Sequence, residues 1–339
     1  MGPTLYLHVG PPKTATTYLQ ESFLEKVKGV KCLVRPKVKI SGRSVYLHRL
    51  FVHSVNIWKE VGIDILKNIS RDTVDKGKDL IISSEGFYGG FSVPRPWYKR
   101  RTKKLTDRVN GLWSTSGSPY SSAFAKHLKA VQTASKSIGF EGFKMLGNIR
   151  RQDQKIASGY AEMSSSIKGA SQDHFEEWVR FILESPIGYY GLGGSKLDYY
   201  RWWLSSVKKI GKENVLILPV ELLDSDKDKF LNEWISFMNI GKQNVPEKVS
   251  EDRKRVNPGT RNVWNLRPPA RGLDSIPYRL MQKLGISSNI AKALGITSRE
   301  KSIEVSKSIQ NKIMYKYKES NKKIDKQLES VDLSKYGYF

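Results

Sequence analysis

The chain has 339 residues and carries 58 Lys plus Arg against 33 Asp plus Glu, a formal net charge of +25. Its 39% hydrophobic and 11% aromatic content is enough to build a core, which excludes global disorder, and the length suits one large domain or two ordinary ones. A single cysteine, Cys32, excludes an intramolecular disulfide framework and a cysteine-rich zinc site, while the charge calls for an anionic partner: nucleic acid, an acidic membrane surface, a phosphorylated cofactor or an acidic polymer.

Thr4 to Val9 is a short apolar, β-prone run that Gly10-Pro11-Pro12 breaks. From Lys13 the apolar spacing turns helical through Tyr18, Leu19, Phe23, Leu24 and Val27, so the segment reads strand, tight turn, helix. Cys32 to Val34 reads as a second short strand, and Asp79 to Ser83 as a buried strand after a helical stretch. From Gly89 to Tyr120 the pattern fails. Pro94, Pro96, Pro119 and the basic run Lys99-Arg100-Arg101-Thr102-Lys103-Lys104 mark an inserted loop, longer than an ordinary connection. Phe143 to Ile149 is another strand, followed by a helix over roughly Asp153 to Ser165, and Val215 to Leu218 is a further apolar run. Arg253 to Pro269 is basic and contains proline. Beyond it Ile309, Ile313, Tyr317, Ile324 and Leu328 recur at helical spacing with lysines between them.

Buried strands alternating with helices predict an α/β fold, a central parallel sheet flanked by helices. The expected division is a core over residues 1–265, with the basic insert at about 89–120, and a helical C-terminal extension over 266–339. No apolar stretch approaches the ~20 residues that span a bilayer. Met1 to Val9 lacks the apolar centre of a signal peptide, and Tyr6 breaks the myristoylation pattern. The expectation is a soluble, cytoplasmic protein with no transmembrane segment.

The turn Gly10-Pro11-Pro12-Lys13-Thr14-Ala15-Thr16-Thr17 carries the sharpest chemistry. A helix start has amides without internal partners and the positive end of the helix dipole, and a phosphate suits it. Lys13 adds a point charge, and Thr14, Thr16 and Thr17 add hydroxyls. N-capping would explain one threonine but not a lysine among three of them. A nucleoside-triphosphate loop of the Walker type needs glycines where Pro12 and Leu7 stand, which weakens the reading as an atypical P-loop kinase. A nucleic-acid-binding protein would show a basic face with interleaved aromatics, whereas the C-terminal lysines lie between apolar positions as on a solvated face.

Pro12-Lys13-Thr14-Ala15-Thr16-Thr17 followed by Leu19 resembles the 5′-phosphosulfate loop of sulfotransferases that use 3′-phosphoadenosine 5′-phosphosulfate (PAPS). That family usually has Gly where Ala15 stands; Ala is a tolerated variation where the local φ is negative, and costs stability and cofactor affinity where the position needs φ > 0. Asn148-Ile149-Arg150 followed by Ser158 is similar to the Arg-x7-Ser element whose arginine and serine hold the 3′-phosphate. The stretch from Tyr190-Gly191 through Trp202, Trp203 and Gly211-Lys212-Glu213-Asn214-Val215 to Glu221-Leu222 matches further, and so does the end, Asp332 to Tyr338, which is similar to bacterial-type carbohydrate sulfotransferases.

The resemblance implies a P-loop-like sulfotransferase architecture and in-line transfer of a sulfuryl group from PAPS, leaving 3′,5′-adenosine bisphosphate (PAP), with no metal. Cofactor-binding residues would be Pro12, Lys13, Thr14, Ala15, Thr16, Thr17, Arg150, Ser158 and Arg255. Lys13 would stabilise the leaving phosphate, and Glu85, at the end of the Asp79–Ser83 strand, would be the base. His8 is the competing base, though inside a strand it reads as a core residue. The partner implied is an acceptor hydroxyl, less often an amine, of a carbohydrate, an acidic glycan or a small hydroxyl compound. No specific nucleic acid is expected.

Overall fold

The computed structural model describes residues 2–11, 13–40, 42–52, 54–88, 120–167, 170–184, 197–245, 262–267 and 302–339. Pro12, the basic run at 99–104, Tyr190-Gly191 and Arg255 lie outside the described residues. By internal packing the chain forms two compact units. The first holds residues 1–151, 186–254 and 317–339, and the second holds 152–185 and 255–316.

In the first unit β1 (Thr4–Val9) is apolar and buried along nearly its whole length, as a strand covered on both faces must be. The chain turns through Lys13 into α1 (Thr16–Ser22). The helical spacing predicts a longer helix, but Phe23 adopts φ −127°, ψ −66° and a 3₁₀ turn follows over Leu24–Lys26. The break lets Phe23 and Leu24, both fully buried, enter the core together. A continuing helix would point them about 100° apart. Next come β2 (Val30–Val34), a two-stranded ribbon of β3 (Lys37–Ile40) and β4 (Arg43–Tyr46), α2 (Ile63–Val74) and β5 (Asp79–Ser83). A 3₁₀ turn over Glu85–Tyr88 leaves the end of β5.

After α3 (Tyr120–Ser137) the chain forms β6 (Gly142–Ile149) and passes through α4 (Gln152–Met163) and α5 (Gln172–Glu184), both in the second unit. It re-enters the first unit with α6 (Tyr199–Ile210), β7 (Val215–Pro219), α7 (Val220–Ser225) and α8 (Lys227–Met238). Asp198 caps α6 by accepting from the Arg201 amide at 3.0 Å, and Asp226 caps α8 by accepting from the Lys229 amide at 2.9 Å. Trp202 and Trp203 are buried core residues.

The five strands pair in parallel in the order β2-β5-β1-β6-β7. The sheet is flanked by helices, so the α/β expectation holds. From β1 the chain runs outward to β2 and back to β5. It later crosses to β6 and β7 on the other side. Connections therefore diverge from β1, and the carboxyl end beside it is where an open parallel sheet binds its ligands. Lys13 follows β1, Glu85 follows β5 and Arg150 follows β6, so all three leave this one edge.

In the second unit, a short ribbon of β8 (Val263–Asn265) and β9 (Ser302–Glu304) joins α4 and α5. The helix α9 (Lys307–Asp325) begins in this unit and continues from Tyr317 in the first. Its Ile309, Ile313, Tyr317 and Ile324 are buried, as their spacing predicts. Among the described residues no helix is long and apolar enough to cross a membrane.

Candidate functional site

The loop after β1 is held in an unusual backbone conformation. Lys13 has φ 72° and Ala15 φ 55°, both left-handed, with Thr14 between them. Each such non-glycine residue costs on the order of 1–3 kcal/mol unless its surroundings fix it, and such strain clusters at ligand sites. Of the two cases open at Ala15 the positive φ is the one found, so the position has the geometry that glycine supplies at no steric cost and alanine bears strain there. Ala15→Gly is expected to stabilise the fold by about 1 kcal/mol, raising the melting temperature by roughly 2 °C. An unchanged or lower melting temperature would show that the loop is unstrained.

Residues at the end of β6 hold the loop from one side. Asn148 Nδ2 donates to the Thr14 carbonyl at 3.2 Å, and Arg150 Nη1 donates to the Lys13 carbonyl at 3.1 Å. Because each peptide unit is planar and trans, the amides of Thr14 and Ala15 point the opposite way, away from β6. Neighbouring amides presented by alternating backbone conformations form an anion-binding concavity. Thr14 is fully buried and its hydroxyl donates to the Pro11 carbonyl at 2.6 Å, so it ties the loop together from within. Thr17 is exposed on the first turn of α1. Gly10 closes the turn: a Cβ there would fall 2.3 Å from Thr16 Cγ2 and 2.9 Å from Thr14 Oγ1.

Arg150 is itself positioned by a buried cluster. The Tyr199 hydroxyl donates to the Arg150 carbonyl at 2.6 Å. Next to it, Glu221 accepts from the Arg151 amide at 2.8 Å and from the Tyr338 hydroxyl at 2.9 Å. Burial pushes the Glu221 carboxyl above its ordinary range, against those hydrogen bonds and the nearby Arg150 charge. The last residues of the chain are thereby tied to the strand end that presents Arg150. The similarity of Asp332–Tyr338 to a family pattern did not reveal this role.

On the other side stands Glu85. Its Oε2 accepts from the Thr16 hydroxyl at 3.1 Å, which brings it to the loop, and its Oε1 pairs with Arg35 Nη2 at 2.9 Å. Arg35 is also left-handed, φ 46°, although it precedes Pro36 and so is doubly restricted. Its amide donates to the Ser83 carbonyl at 2.8 Å, extending the β2–β5 pairing and fixing the turn.

Beneath the loop lies a polar layer. Ser83 Oγ accepts from Gln20 Nε2 at 2.8 Å and lies 2.7 Å from His8 Nδ1. His8 is fully buried, and desolvation lowers its pKa to about 3, so it stays neutral. Its ring packs edge-on against Trp234 at 4.9 Å. This is the core histidine that its strand position suggests.

His48 is the residue that sequence reasoning missed. Nothing in its neighbourhood along the chain distinguishes it, but folding brings its Nδ1 to within 2.9 Å of Ser84 Oγ, next to Glu85. Gly86 permits the approach, since a Cβ there would lie 2.4 Å from the imidazole. Partial burial, with Arg49 and Arg35 nearby, lowers its pKa and favours the neutral ring.

Ser158 lies on α4 in the second unit and is nearly buried. Among the described residues no group of His, Cys, Asp and Glu side chains is arranged to hold a metal ion.

No model of a known protein family and no curated protein matches the chain. Among solved structures, the crystal structure of a sulfotransferase from Alicyclobacillus acidocaldarius is similar, with 13% identity and a TM-score of 0.41, over 75% of this chain and 87% of that one. At that score the likeness decides nothing about chemistry, and the site is read from its own geometry.

Proposed function

We propose that the chain is a PAPS-dependent sulfotransferase that acts on an acceptor hydroxyl. The observation that carries the reading is the hydrogen bond from Arg150 to the Lys13 carbonyl. Two cationic elements far apart in sequence meet at one sheet edge, around a loop whose backbone conformation suits an anion. The donor set fits a nucleotide bearing two separate phosphate groups: an ammonium, a guanidinium, amides and an exposed threonine hydroxyl.

Bound PAPS would supply an activated sulfuryl group and a phosphate leaving group. Lys13 and the Thr14 and Ala15 amides would hold the leaving phosphate, where they act most strongly as its charge grows. Arg150 would hold the 3′-phosphate. Glu85 would take the acceptor's proton as the new S–O bond forms and the bond to the leaving phosphate breaks. Thr16, donating to Glu85, would orient the carboxylate toward the loop.

The test is a comparison of thermal shifts with PAP, ATP plus magnesium, and duplex DNA. PAP should raise the melting temperature most. Stabilisation by ATP–magnesium alone would favour a kinase, and stabilisation by DNA alone a nucleic-acid-binding protein.

A further inference from the structure

From Lys26 through Lys59 the chain contains no Asp or Glu. The middle of this stretch is the β3–β4 ribbon, and both of its ends are fastened to the end of β5. Before β3, Arg35 bonds through its amide to Ser83 and through its guanidinium to Glu85. After β4, His48 bonds to Ser84. The ribbon therefore stands beside the proposed base.

Its pairing register places Lys37 opposite Tyr46 and Lys39 opposite Ser44. Those four side chains share one face and all are exposed, while Val38 turns inward. Arg43 is exposed at the start of β4. Lys37 is partly ordered: its ammonium lies 5.3 Å from the centre of the Tyr46 ring, which itself stacks on His48 at 5.4 Å and 8°. Ordering a cation before its partner arrives reduces the entropy lost on binding.

We propose that this ribbon is the acceptor subsite, that it takes a polyhydroxylated acid such as an acidic saccharide, and that Arg35 exchanges Glu85 for an anionic group of that acceptor. The assignment rests on the sulfotransferase reading, because an acceptor hydroxyl must sit near Glu85. Arg35 is suited to the exchange. Its side chain is 41% exposed, its partner's is 32% exposed, and its guanidinium can hold a carboxylate or sulfate ester in the same two-pronged way. While paired with Arg35, Glu85 has both oxygens engaged. Transfer of Arg35 to the acceptor leaves Oε1 open to receive the hydroxyl proton. A neutral acceptor offers nothing to draw Arg35 away.

The experiment titrates the full chain, with PAP present, using hexagalacturonate, a sulfated dextran oligomer, maltohexaose and an octaglutamate peptide. Two charge-matched variants are compared: Lys37→Gln/Lys39→Gln/Arg43→Gln in the ribbon, and Lys59→Gln/Lys126→Gln/Lys129→Gln on exposed positions elsewhere in the first unit. At least one acidic saccharide should bind more tightly than maltohexaose, and which one binds identifies carboxylate or sulfate ester as the recognised anion. The ribbon variant should lose about tenfold or more in affinity, Arg35→Gln a similar factor, and the control variant less than about twofold.

Equal losses in the two triple variants would overturn the proposal, because net charge alone would then explain binding. Preference for maltohexaose or octaglutamate, or no binding of either acidic saccharide, would also overturn it. PAP-induced thermal shifts in each variant report folding. Failure of the wild-type chain to bind PAP would count against the sulfotransferase reading itself, so the two failures are distinguishable.

Discussion

Lys13→Ala is expected to lower the turnover of sulfuryl transfer on the order of 10²-fold or more, the scale seen when a preorganised group facing developing charge is removed. The loss should appear in kcat rather than KM, since the ammonium interacts most strongly with the leaving phosphate as charge accumulates there. The fold should tolerate the change. Alanine at φ 72° inherits the backbone strain that lysine already bears, and the Arg150 bond is to the main-chain carbonyl. A melting temperature near that of the wild type would show that the lost activity reflects charge and not structure. Lys13→Arg should recover only part of the rate, because a planar guanidinium does not replace a point charge in a tight turn. Unchanged turnover of Lys13→Ala with a verified acceptor would remove Lys13 from the catalytic group.

Glu85→Gln is the second large effect. Glutamine matches the shape and can still accept from the Thr16 hydroxyl, so the loop and PAP binding should be preserved. It cannot take a proton, and transfer should fall by about 10²–10⁴-fold, the usual contribution of a positioned base. The ion pair to Arg35 is lost as well, but its groups are substantially exposed and its share of stability is small. Rates close to wild type would move the base elsewhere. The structure supplies one specific substitute in His48, a half-buried imidazole favoured in its neutral form and bonded to the serine before Glu85. In that outcome His48→Gln, not Glu85→Gln, should abolish transfer.

The sheet was largely legible in the sequence because its central strands are covered on both faces. Leu80-Ile81-Ile82 and Met145-Leu146 read as unbroken apolar runs, and such runs have few alternatives to a buried strand. The β3–β4 ribbon was not legible. Its alternation is Lys-Val-Lys-Ile against Arg-Ser-Val-Tyr, a half-exposed pattern in a short stretch where charge obscures periodicity. Strand order is set by long-range pairing and cannot be read from spacing along the chain.

The loop after β1 was recognisable from Lys13 and its threonines, but the sign of φ at Ala15 was not. Alanine normally signals negative φ, and here Asn148 and Arg150 hold the neighbouring carbonyls while Ala15 bears the strain. Arg35 and His48 escaped notice for a related reason. Each becomes part of the site through one contact made at the end of β5, and neither carries a local signature. The two packing units also interleave along the chain, so that residues 317–339 belong with the sheet. A helical tail gives no sign of that in its periodicity, whereas the Tyr338–Glu221 bond makes it plain.

The charge of +25 has a spatial pattern. Lys13 and Arg150 face the proposed nucleotide, and the acid-free stretch holding Arg35, Lys37, Lys39 and Arg43 faces the proposed acceptor. Joint binding, by the loop and Arg150, of a nucleotide with phosphates at both the 5′ and 3′ positions is the proposal on which the function rests. It is tested most directly by calorimetric titration of the chain with 3′,5′-adenosine bisphosphate and with 5′-ADP, in the wild type and in Arg150→Ala. The wild type is expected to bind the 3′,5′-bisphosphate at least about tenfold more tightly, and Arg150→Ala to lose most of this preference. Equal affinity for the two nucleotides in the wild type, or a preference that survives Arg150→Ala intact, would contradict it.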